Sequence, residues 1–156
     1  MARYVFIATH CVPSDKRTAA QAMVEFCSRD LGIAAPPLKF YTDQMMASGY
    51  LGHGRSFEHT SAPGVRSCGM AVQHTACPTE VWLNFDASVE KVHHCAAHEC
   101  WHVRYPTHTA GGLTEGEKAE IERRAEEYAA DACKRYRPSV SPLVAAAAMK
   151  RMRPGW

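Results

Sequence analysis

No apolar run in this 156-residue sequence approaches the roughly 18 residues needed to span a bilayer, so no transmembrane helix is expected. The opening Met1-Ala2-Arg3 leads into only five apolar residues, Tyr4-Val5-Phe6-Ile7-Ala8. That falls short of the core of a secretory signal, which needs about 7–15, and reads instead as a buried first strand. Strong charge of one sign is also missing. Eighteen basic residues against sixteen acidic leave +2, spread along the chain apart from the short tail Lys150-Arg151-Met152-Arg153. That balance argues neither for nor against nucleic acid, and neither a nucleic-acid nor a membrane partner is expected. The cysteines (11, 27, 68, 77, 95, 100, 133) are odd in number and lack the regular spacing of a disulfide framework. They read as free thiols of a reducing cytoplasm, most of them serving as small buried hydrophobes. No repeat, low-complexity block or linker interrupts the chain. Residues 1–156 therefore read as one domain, long enough to bury about 68–70% of its unfolded surface.

What is present centres on His93–Val103. Within it, His98-Glu99-Cys100-Trp101-His102 has the form H-E-x-x-H. On a helix, positions i and i+4 share a face, so two imidazoles there can take adjacent corners of a tetrahedral Zn²⁺. Glu99 lies nearby but off that face, where it can act as general base on a zinc-bound water. His94 extends the histidine ladder one turn earlier and reads as a polar neighbour; Cys95 reads as a buried small residue.

The surrounding residues supply the context such a motif needs. Ser14-Asp15 caps a helix over 16–29, Gly32 stops it, and Pro36-Pro37 leads into a strand at Leu38–Tyr41. With the first strand this suggests a crossover unit. Residues 42–66, glycine-rich and without a clear period, read as a loop carrying His53 and His59. Strands are expected at Cys68–His74 and Val81–Phe85, the second read both as a core strand and as one whose free edge could hold an extended peptide. Asp86 or Ser88 caps the motif helix and Pro106 ends it. Thr114 and Glu117 match a capping box for a helix running to about Arg137. Ser141-Pro142 opens a last helix to Met152.

A third metal ligand must come from downstream. Glu127-Tyr128-Ala129-Ala130-Asp131 resembles the E-x-x-A-D signature of gluzincin-type metallopeptidases, the HtpX-like proteases among them. That resemblance implies that Glu127 ligates zinc and that Asp131 orients a motif histidine. Glu122 to Ala129, in contrast, is similar to the E-x-x-A-x-x-F-A stretch of ImmA/IrrE-type metallopeptidases. This second alignment implies Glu122 as ligand, with Glu126 where those proteins carry Asn or Asp. The two registers differ by about 500° of helical rotation, so they turn different faces to the metal. Glu127 is favoured because Asp131 completes its pair. The resemblance covers about residues 81–137, and Arg104 departs from it where those motifs commonly carry an apolar residue.

The resulting expectation is a compact, zincin-like α+β domain, a small sheet packed on the motif helix and a glutamate-bearing helix. Its expected activity is zinc-dependent hydrolysis of a peptide or protein substrate. Zinc would be held by His98, His102 and Glu127, with Glu99 as base, Asp131 behind a histidine, and Tyr128 or His108 as oxyanion donors. The alternative is a zinc-stapled binding or regulatory module acting on a partner protein.

Overall fold

The computed structural model describes residues 11–43, 68–72, 78–106 and 112–136. They form a small α+β domain of three helices and a three-stranded sheet: α1 (Ser14–Leu31), β1 (Leu38–Tyr41), β2 (Gly69–Val72), β3 (Glu80–Asn84), α2 (Val89–Arg104) and α3 (Glu115–Arg135). The expected first strand, the last helix, His53, His59 and His108 lie outside the described residues. Among the described residues, no helix is long and apolar enough to cross a membrane.

The sheet has the order β1-β3-β2. β3 is parallel to β1, with Phe40 opposite Leu83, and antiparallel to β2, with Met70 opposite Trp82. Every residue of β3 is buried. This corrects one expectation: the strand just before the motif helix is central, and both its edges are already paired. It cannot offer a peptide a free edge.

Val81 and Leu83 point from β3 into the core with Phe40, Val92, Cys95 and Ala96. Each fully buried Val or Leu side chain stabilises the fold by about 1.5–3 kcal/mol. α2 is the hub, packing against α1, α3, β2 and β3. Its ends match the sequence signals. Ser88 Oγ accepts from the Lys91 amide at 3.1 Å, and the helix stops at Tyr105, just before Pro106. The turn feeding α2 is tied down on both sides. Asn84 donates to Asp43 at 2.7 Å and accepts from the Asp86 amide at 3.0 Å, while Lys16 reaches the Phe85 carbonyl at 2.7 Å.

α3 carries the expected capping box, Glu117 N to Thr114 Oγ1 at 3.1 Å and Thr114 N to Glu117 Oε2 at 2.8 Å. α1 departs from its expected start. Pro13 is the N-cap and no side chain caps it, but Gly32, at φ 67°, closes it in the left-handed conformation that glycine adopts without strain. Ala125, Ala129 and Ala132 are the buried residues of α3, and Ala96 and Ala97 are buried on α2. Such small residues let two helices approach closely. That proximity is what brings a glutamate of α3 within reach of histidines on α2.

The cysteine expectation is also corrected. Cys68 and Cys95 form a disulfide, with Cα atoms 6.2 Å apart, that links the residue before β2 to the second turn of α2. Cys11, Cys27, Cys100 and Cys133 are free, and Cys27 and Cys100 are buried as small core residues. Irregular sequence spacing carried no signal for the bridge, because only the packing of β2 on α2 brings the two thiols together.

Candidate metal centre

Helical spacing places His94, His98 and His102 on the face of α2 turned to α3. Opposite them, Glu122 and Glu126 occupy successive turns of α3. His98 Nε2 and His102 Nε2 lie 3.1 Å apart. Glu122 bridges them, with its two oxygens 3.2 Å from His98 Nε2 and 3.0 Å from His102 Nε2. Nitrogen or oxygen ligands on a tetrahedral Zn²⁺ sit about 3.3–3.4 Å from one another, given Zn–N bonds of about 2.0–2.1 Å. The three donor atoms are therefore already spaced close to one face of such a tetrahedron. His98, His102 and Glu122 are the group that could hold a metal ion among the described residues.

The two imidazole side chains are only 12% and 10% exposed, whereas Glu122 is 58% exposed. The centre thus has a dry floor on α2 and opens to solvent along α3. Hydrogen bonds from His102 and His98 hold the Glu122 carboxyl far below the usual carboxylate range, outweighing the opposing effect of its partial burial. Burial pulls the His98 pKa down. The hydrogen bond to Glu122 and the charges of Glu99, Glu122 and Glu126 push it up by more, so the net shift is upward.

Behind His98 stands a second carboxylate. Glu126 Oε1 is 2.7 Å from His98 Nδ1, and its Oε2 is 2.9 Å from His94 Nε2. The His98 contact is off the direction of the ring N–H, so it is an ion pair by proximity rather than an aligned hydrogen bond. Burial raises the Glu126 pKa. The His94 hydrogen bond and the His98 charge overcome this and lower it. His102 Nδ1 is buried with no hydrogen-bond partner among the described residues.

Glu99 occupies a different face of α2. It is 6% exposed, lies under β2, and burial pushes its pKa up to about 7 against the pull of His98 and His102. A Cβ placed on Gly69 would meet Glu99 Cγ at 3.1 Å, so the strand crosses almost directly over this carboxylate.

The structure brings Glu122 and not Glu127 to the histidines, a correction to the favoured alignment. Glu127 pairs with Arg123 on the exposed side of α3, and Asp131 accepts from Arg135 Nε at 2.6 Å. The carboxylate that accompanies a motif histidine is Glu126. Tyr128 is likewise engaged elsewhere, its hydroxyl donating to Asp30 Oδ2 at 2.8 Å. Sequence reasoning read His94 only as a polar neighbour and placed Glu126 only in the second alignment, at the position where those proteins carry Asn or Asp. The available signal was that Glu126 sits four residues after Glu122, the same offset as Asp131 after Glu127. No family model, curated protein or solved structure matches the chain.

Proposed function

We propose that the chain is a zinc-dependent peptide hydrolase built on a zincin-like core, with His98, His102 and Glu122 as the metal ligands. The observation that carries this reading is the convergence of the two Nε2 atoms and the Glu122 carboxylate from separate helices, beside the buried carboxyl of Glu99. Two imidazoles and one carboxylate, open on one side, are the ligand set of catalytic rather than structural zinc. When bound, zinc would supply Lewis acidity, activating water toward a pKa of about 7 and polarising a carbonyl.

The protein's own groups divide the remaining work. Glu99, with a pKa near 7, is matched to accepting a proton from the attacking water and returning it to the leaving amine at neutral pH. Glu126 beside Nδ1 favours the His98 tautomer protonated there, which leaves the Nε2 lone pair facing the ligand site. His94 braces the other Glu126 oxygen. Glu122, 58% exposed, leaves the ligand set open to solvent on that side.

The deciding experiment pairs metal analysis with cleavage of a broad peptide library. Wild type is expected to bind one zinc per chain and cut peptides, and Glu99→Gln to keep zinc and fold while losing cleavage. A zinc-loaded wild type that cuts nothing would instead select the stapled, non-catalytic module. Cleavage that survives Glu99→Gln would remove Glu99 from its role.

A further inference from the structure

The sheet-facing side of α2 carries Cys95 and, one turn on, Glu99. Opposite them, Cys68 and Gly69 are consecutive. The disulfide joins the first pair, and Gly69 lies against the second. β2 is thus bolted to α2 one turn before the buried carboxylate that it covers. The ligand-bearing face of α2, with His98 and His102 turned to α3, is held by different contacts. Covalent control of one face therefore leaves the other in place. Without the bond, β2 would be a four-residue strand that still pairs with β3.

We infer that the Cys68–Cys95 bond is a redox-operated clamp that keeps β2 seated over Glu99, and that its reduction loosens that wall without removing a metal ligand. This rests on the hydrolase reading for its effect on activity, but not for its structural effect. Cys95 is fully buried and Cys68 only partly so. A dithiol reductant would therefore attack the Cys68 sulfur and expel the Cys95 thiolate, which takes up a proton. The second thiol of the reductant then resolves the mixed disulfide, releasing the Cys68 thiol. Two electrons pass to the protein, and the reductant leaves as its own disulfide.

The test compares zinc-loaded protein in air and in excess tris(2-carboxyethyl)phosphine, which reduces the bond without chelating zinc as a dithiol does. Cys68→Ala, which keeps the Cys95 thiol in the core, serves as a permanently open form. Mass spectrometry of alkylated protein should show the Cys68–Cys95 peptide in the oxidised sample only. Amide exchange at residues 69–72 should accelerate at least about tenfold on reduction and in Cys68→Ala, with zinc stoichiometry unchanged in all samples. Where peptide cleavage is measurable, reduction should lower kcat at least about tenfold, and Cys68→Ala should be low and insensitive to the reductant. Unlinked cysteines in the oxidised protein, equal exchange in both states, or loss of zinc on reduction would each overturn the clamp. A protein that shows the exchange difference but cuts no peptide keeps the clamp and sinks the hydrolase reading, so the two fail separately.

Discussion

Glu122 and Glu127 sit five residues apart on α3, and their neighbours decide which is available to a metal. Glu127 is one turn beyond Arg123, and Asp131 is one turn before Arg135, so both acids are taken up by guanidinium partners on the same helix. Among the described residues Glu122 has no such guanidinium partner and meets His98 and His102 instead. Glu122→Ala should therefore lower zinc content well below one per chain and weaken affinity by at least about a hundredfold, while Glu127→Ala should leave it unchanged within error. Atomic absorption or a competitive chelator titration reads both. Glu99 gives a pH prediction. Its folded pKa of about 7 lies above the ordinary 4.5, so between those values the folded state holds a proton that the unfolded state has lost. Stability of the metal-free protein should fall as pH rises from about 4.5 to 7 and level off above that. Urea titrations at pH 5 and 8 check it, and Glu99→Gln should flatten the difference.

At the scale of the elements, most boundaries were legible because they depend on local chemistry. The Thr114–Glu117 box, the Ser88 cap and the stops at Gly32 and Pro106 are interactions within a few residues, and they appear as expected. Pairing was not legible. The hydrophobic pattern of β3 suits a central or an edge strand equally, and only its partners β1 and β2 decide between them. Gly69 is a case of an element set by its neighbours. A methyl group there would lie 3.0 Å from Leu83 Cδ2, 3.1 Å from Glu99 Cγ and 3.1 Å from the Trp82 carbonyl oxygen. The backbone oxygen cannot rotate away, so Gly69→Ala should cost about 1–3 kcal/mol by denaturant unfolding. α1 and α3 are joined by Asp30, which accepts two hydrogen bonds of 2.9 Å from Arg135 and one from Tyr128. Arg135 chiefly holds the Asp30 pKa below its ordinary value. The stabilisation is thus complete above the ordinary aspartate range and lost as pH falls through the lower, folded value. Asp30→Asn should remove about 1 kcal/mol at pH 7, given the partial exposure of the pair, and flatten the acid limb of the stability curve.

For the whole molecule, the disulfide and the candidate metal centre lie on different parts of the same helix. The bridge spans a sequence separation of 27, for which loop-closure entropy corresponds to about 3.5 kcal/mol of stabilisation. On the proposed zinc reading, zinc at a hundred times its Kd would add about 2.7 kcal/mol through binding to the folded state alone. A melt with and without zinc should therefore differ by roughly 5–10 °C for a chain of this size, a difference that Glu122→Ala abolishes. The sequence by itself determined the H-E-x-x-H helix, its cap and stop, and the helix that faces it, because periodicity and capping act over a turn or two. Only the tertiary structure decided that Glu122 meets the histidines, that Glu126 stands behind His98, and that Cys68 reaches Cys95. Those outcomes depend on the rotation of α3 about its axis and the seating of β2 on α2, set by alanine packing and strand pairing between residues far apart in the chain.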